Sequence, residues 1–147
     1  MTYVKAEFPA AQTHAPMLMG LLMREVQSIF AAEDWDGLRQ SHFRVMSAVP
    51  DQGVSITELG ERVGMTKQGC GQFVAQLLES GHLATERFPS DRRVRMVRRT
   101  PHGQRVLDAV RERNLRIEQD WAEQVGQENY LTFRAVLEGL ALGTLPD

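Results

Sequence analysis

Apolar residues fall at helical spacing along most of the chain. Between residues 14 and 32, Leu18, Leu21, Leu22, Val26, Ile29 and Phe30 recur at three- and four-residue steps, which predicts an amphipathic helix. Asp36-Gly37 breaks it. A second helix is expected over 41–49, with Phe43, Val45, Met46 and Val49 available for burial, closed by Pro50-Asp51-Gln52-Gly53. Residues 54–56 suffice only for a β-bridge. Thr57, with Glu58 and Glu61 in the first turn, is the expected cap of a short helix ending at Gly64. Thr66 is the expected cap of the next helix, which Ser80-Gly81 stops.

The period then changes. Residues 83–88 and 94–100 alternate like extended strands, and Pro89-Ser90-Asp91-Arg92-Arg93 between them makes a hairpin with a basic tip. Thr100-Pro101 is an N-cap followed by proline at the first helical position. A long helix is expected to about residue 125, with Leu107, Val110, Ile117 and Trp121 on one stripe. Gly126 breaks it, and a last helix over 128–142 carries Leu131, Phe133, Val136, Leu137 and Leu140. The expected order is ααβααββαα, mainly α with a small β-hairpin (α+β). Residues 1–13 lack periodicity and read as a loose arm.

Composition narrows the class. The 147 residues correspond to about one domain. Lys and Arg number 17 against 19 Asp and Glu, so the chain is not basic throughout. The charge is nevertheless uneven. Residues 62–105 hold nine basic groups and three acidic ones, a local charge of +6, while the flanks hold eight basic and sixteen acidic groups. The central segment is suited to a polyanion. The longest apolar run, residues 17–23 (MLMGLLM), is too short to span a bilayer, and no cleavage site follows it. One cysteine allows no internal disulfide, so a cytoplasmic protein with no membrane contact is expected.

The region from Ile56 to Leu77 has the pattern of a helix-turn-helix. Two short helices crossing steeply need a small residue at the crossing, which Gly60 supplies, and a turn residue tolerant of positive φ, which Gly64 supplies. Leu59, Val63, Met65, Cys70, Phe73, Val74 and Leu77 fall on the inner faces. Thr66, Lys67, Gln68, Gln72 and Gln76 remain outward, residue types suited to phosphates and base edges in a major groove. The hairpin that follows reads as a wing, with Arg92 and Arg93 at its tip to reach a phosphate or a minor groove. Arg95 continues the same basic strand.

The text ITELGERVGMTKQGCGQFVAQLLESGHL, followed by FPSDRRVRMVRRTPHGQRVL, resembles the MarR family of winged-helix transcriptional regulators. In that family the wing places an acidic residue and arginines before a strand ending in Thr-x-x-Gly. Asp91, Arg92 and Arg93 match the former, and Thr100 and Gly103 the latter. The resemblance implies a homodimer gripping double-stranded DNA at a pseudo-palindromic operator. Residues 14–37 and 101–143 would supply the dimerisation helices and 38–100 the DNA-binding lobe. It also implies an effector pocket between them, for which Met17, Leu21, His42 and Met46 are candidates and a small apolar or aromatic acidic molecule the expected ligand. The DNA contacts would come from Thr66, Lys67, Gln68, Gln72, Gln76, Asp91, Arg92, Arg93 and Arg95. Gly69 and Gly71 depart from a good helix, since glycine costs up to about 1 kcal/mol there relative to alanine.

Other chemistry is weaker. Cys70 lies on the inward stripe, where a thiol is a small hydrophobe. His14, His42, His82 and His102 show no metal-ligand spacing, so neither metal nor cofactor is expected. No GxGxxG, P-loop, GxSxG or HExxH occurs, and an enzyme is not expected. The rival reading is a winged helix whose basic wing binds an acidic protein.

Overall fold

A computed structural model describes residues 13–146. The expected arm, residues 1–13, lies outside the described residues except for Thr13. One unit of the chain ends at Gly37 and a second begins at Leu38. The first contains α1 (Ala15–Ala31), with Pro16 in its first turn. Phe30 stacks at a tilt on Trp35, 5.4 Å between centroids, and its carbonyl accepts the Trp35 indole N–H at 2.9 Å. Leu18, Met19, Leu22 and Met23 remain exposed on this helix. Asp36 and Gly37, both at positive φ, end the unit.

The second unit runs α2 (Gln40–Ser47), β1 (Val54–Ser55), α3 (Ile56–Val63), α4 (Lys67–Glu79), β2 (Leu83–Arg87), β3 (Arg95–Arg99), α5 (Pro101–Val125) and α6 (Gln127–Leu142). With α1 the order is ααβααββαα. No helix among the described residues is long and apolar enough to cross a membrane. The three strands form one antiparallel sheet in the order β1-β3-β2. Val97 sits opposite Val54 on one side and Thr85 on the other, so the hairpin is tied into the core through its second strand. Val45, Met46, Leu59, Cys70, Leu77 and Val97 are fully excluded from solvent.

One expected start is corrected. The cap of α3 is Ser55, two residues before Thr57, and its hydroxyl accepts the Glu58 N–H at 3.2 Å. Both residues can cap, but the strand pairing of Ser55 with Met96 leaves it extended at the point where the helix begins. At the other end of the unit, Gly126 (φ 89°) separates α5 from α6 without any further linker. Tyr130 of α6 donates to the Glu118 carboxylate of α5 at 2.5 Å, and Arg134 pairs with the same carboxylate. Burial first, and that carboxylate second, push the Tyr130 hydroxyl pKa up.

Candidate nucleic-acid interface

Three local devices set the angle between α3 and α4. Gly64 ends α3 in the left-handed region, at φ 64°. The Arg44 guanidinium of α2 donates to the Val63 carbonyl, one of the acceptors a helix end leaves open. At the crossing, a methyl on Gly60 would lie 3.6 Å from the Cys70 Cβ and 3.7 Å from the Met65 carbonyl. Alanine would therefore just fit, and any longer side chain would push the helices apart.

Thr66 caps α4, its hydroxyl accepting the Gly69 N–H at 3.0 Å. A methyl on Gly69 would lie 3.1 Å from the same hydroxyl oxygen, a tight contact of the kind Glu58 makes room for beside its Ser55 cap. Gly71 has no such neighbour within 4 Å. Cys70, Val74 and Leu77 face the core. Burial pushes the Cys70 thiol pKa up, which leaves it protonated and inert. Lys67, Gln68, Gln72 and Gln76 are exposed on α4. Gln76 has a second engagement, since its carbonyl oxygen lies 2.7 Å from the His42 ring nitrogen Nε2.

The wing tip is held by its own side chains. Phe88 N–H donates to the Val94 carbonyl at 2.9 Å, and Val94 N–H to the Asp91 carbonyl at 3.1 Å. The Asp91 carboxylate accepts from the Arg93 backbone at 3.0 Å and from its guanidinium at 3.2 Å. Arg87 donates to the Arg92 carbonyl at 2.8 Å. Asp91 thus shapes the turn, while the Arg93 side chain stays 93% exposed. Arg92 and Arg95 are exposed as well.

The wing base explains the Thr-x-x-Gly ending. The Thr100 hydroxyl donates to the Gly81 carbonyl at 2.6 Å and accepts the Gly103 N–H at 3.0 Å. Thr100 N–H donates to the His82 carbonyl at 3.1 Å, which brings that carbonyl against the first turn of α5. A methyl on Gly103 would lie 2.1 Å from it. Next to this joint, Arg99 donates to the carbonyls of Met46 and Val49, to Asp51 at 2.8 Å and to Gln104 at 2.8 Å.

Several of the nine central cations are therefore occupied internally. Arg62 pairs with Glu58, Arg98 with Glu86, and Arg99 with Asp51. Lys67, Arg92 and Arg95 have no carboxylate partner among the described residues. The free positive charge lies at the start of α4, on the wing and, with Arg105, near the start of α5.

A cavity of about 310 Å³ opens between α2 and α5, lined among others by Ser47, Arg99, Gln104, Arg111 and Asn114. Neither His42 nor Met46 lines it, and both are buried. Both nitrogens of the His42 ring are already engaged. Met17 and Leu21 are half-buried on α1, in the first unit. The cavity residues carried one signal in the sequence. Asn114 interrupts the Leu107, Val110, Ile117 stripe where an apolar residue would continue it.

Residues 36–94 match the model of the MarR family. The PcaV transcriptional regulator from Streptomyces coelicolor, solved in complex with its natural ligand, superposes with a TM-score of 0.69 at 22% identity, covering 93% of this chain and 97% of that one. The matched residues contain α2, β1, α3, α4, β2 and the turn of the wing. BpsR of Bordetella bronchiseptica, whose DNA binding is regulated by 6-hydroxynicotinic acid, shares the fold with a TM-score of 0.62 at 22% identity, over 85% of this chain and 98% of its own. An uncharacterised protein of Mycobacterium tuberculosis is 29% identical over 108 residues, 74% of this chain and 73% of the relative. The Thr66 cap, the αL turn at Gly64 and the close approach at Gly103 are the physical content of the MarR-like text in residues 56–107.

Proposed function

We propose that this chain is an effector-responsive transcriptional repressor that binds double-stranded DNA as a homodimer at a pseudo-palindromic operator. The observation that carries this reading is the exposed face Lys67, Gln68 and Gln72 on α4, combined with a wing whose Arg92, Arg93 and Arg95 point into solvent. Lysine and arginine supply phosphate contacts, and glutamine can read a base edge. Asp91 acts by holding the turn that presents Arg93, since a carboxylate repels phosphate.

Dimerisation through residues 14–37 and 101–143 is supported by the apolar side chains that α6 leaves in water. Leu131, Phe133, Val136 and Leu140 are 54%, 43%, 49% and 67% exposed. Such a surface favours a partner. The regulation of BpsR by 6-hydroxynicotinic acid suggests a small aromatic acid as effector. Arg111, on the lining of the cavity between α2 and α5, has the charge for one. An effector that prefers a different spacing of the two lobes would lower DNA affinity by its differential affinity for the two states.

The deciding experiment selects duplexes from a randomised pool with the purified chain and sequences them. A palindromic motif with half-sites about one helical turn apart, roughly 34 Å, is expected. Retention of an acidic peptide in place of random duplex at moderate salt would instead make the wing a protein-contact device. Sedimentation showing a stable monomer at micromolar concentration would remove the two-half-site model.

A further inference from the structure

The wing has two unlike faces. In the β2–β3 ladder, residues directly opposite share a face and every second residue repeats it. Arg87 and Arg95 are opposite each other on one face, Glu86 and Met96 on the other. The ladder continues one step past both strands, where the Phe88 N–H donates to the Val94 carbonyl at 2.9 Å. Phe88 and Val94 therefore stand on the face of Met96. Met96 is buried, whereas Phe88 and Val94 are 38% and 37% exposed. An apolar stripe thus runs out of the core along one face of the hairpin and into water near its tip.

What surrounds the stripe is cationic. Residues 86–98 hold five arginines against two acids. Both acids are engaged inside the wing, Glu86 by Arg98 and Asp91 by Arg93. A partner for this surface must be apolar at its centre and anionic at its rim. The wall of a duplex minor groove has that composition, since deoxyribose edges lie between rows of phosphates. A hairpin that enters a groove has a wall on each side, so a cationic and an apolar face are used together. We infer that Phe88 and Val94 form an apolar contact of the wing with the deoxyribose edges of the minor groove, supplying affinity that depends neither on salt nor on sequence. The inference rests on the DNA-binding reading above. It gives the wing arginines the salt-dependent share of the affinity and the Phe88–Val94 stripe a salt-independent one.

The test uses the full chain and measures its affinity for a duplex selected from a randomised pool and for an unrelated duplex, each across a range of salt. Roughly 75 Å² of Phe88 stands in water, taking about 200 Å² for a whole phenylalanine. Covering half to all of it corresponds to about fivefold to twentyfold in affinity. Phe88→Ala should lose that much on both duplexes, with the slope of log affinity against log salt unchanged. Phe88→Leu, still apolar, should stay within about twofold of the parent. Val94→Thr keeps the β-branched shape that suits a strand and replaces one methyl with a hydroxyl. It should lose about twofold to fourfold, again at constant slope, and it carries the test if Phe88→Ala does not fold. A stripe that only stiffened the hairpin would misplace the arginines when altered, and the slope would fall together with the affinity. That result overturns the inference. So does unchanged affinity with Phe88→Ala and Val94→Thr, a loss confined to the selected duplex, or weakened retention of poly-glutamate at unchanged duplex affinity. Failure of the parental chain to bind any duplex would overturn the DNA-binding reading, and this inference with it.

Discussion

Gly103→Ala is the most demanding test of the joint between wing and α5. The added methyl would sit 2.1 Å from the His82 carbonyl oxygen and 3.0 Å from its carbon, atoms of the backbone that no rotamer change can move. Reaching even a 3.0 Å separation requires a retreat of about 0.9 Å, and the retreat pulls on the Thr100–His82 backbone bond and the Thr100 cap. Overpacking of this kind costs about 1–3 kcal/mol, and a weakened cap about 1 kcal/mol more. Alanine gains up to about 1 kcal/mol in helix propensity. The clash wins by about 1–3 kcal/mol. At 2–4 °C per kcal/mol for a chain of this size, the melting temperature should fall by roughly 2–12 °C at fixed protein concentration. Gly71→Ala is the matched control, since nothing lies within 4 Å of its methyl. It should raise the melting temperature by roughly 2–4 °C. Circular dichroism at a helical wavelength reads both. If the two substitutions shift stability in the same direction, the close approach at Gly103 is not what that position requires.

Three further outcomes are expected. Arg92→Ala with Arg93→Ala should weaken binding to every duplex and reduce the slope of log affinity against log salt by about one for each phosphate no longer neutralised; an unchanged slope and affinity would remove the wing from the interface. Lys67→Ala should weaken selected and unrelated duplexes alike, whereas Gln72→Ala should relax preference at one base pair per half-site, worth about 1–3 kcal/mol of discrimination. Randomised-operator selection separates them, and an unaltered consensus at full information content with Gln72→Ala would refute the glutamine assignment. Cys70, buried and with its thiol pKa pushed up, should resist a thiol reagent until the chain unfolds; rapid labelling of the native chain would show that this face of α4 opens.

The element order was legible because its signals are local. Helical and strand periods do not overlap here, and Thr66, Gly64, Gly81 and Thr100-Pro101 mark ends by backbone chemistry that needs no tertiary partner. Where two local signals compete, the fold decides between them. Ser55 and Thr57 both suit a cap, and the pairing of β1 with β3 selects the former. The outward face of α4 was readable for the same reason that its inner face was. The tether between His42 and Gln76 was not, because it joins polar residues on separate helices that neither period nor spacing relates. Nor was the cavity, whose polar lining comes from α5, from Ser47 of α2 and from Arg99 at the end of β3.

Arg99 also shows what the charge count of the sequence conceals. Arginine at a helix C-terminus satisfies open carbonyls and favours the negative end of the helix dipole. Arg99 does this for α2 and Arg44 for α3, so both belong to the scaffold and not to the field that a ligand feels. At the wing the logic reverses. Arg87 and Arg95 lie directly opposite each other in the β2–β3 register, an arrangement that repels. Arg87 is partly relieved by the Arg92 carbonyl, and Arg95 has no carboxylate within reach among the described residues. A strand pair serving the fold alone would place an acid within reach of one of these two positions, as Glu86, opposite Met96, lies diagonally within reach of Arg98. Leaving the outer pair both cationic lowers the stability of the hairpin and raises its attraction for a polyanion. Phosphates supplying the missing counter-charge would end the repulsion, so on the DNA-binding reading the same two residues that weaken the free wing would strengthen the bound one.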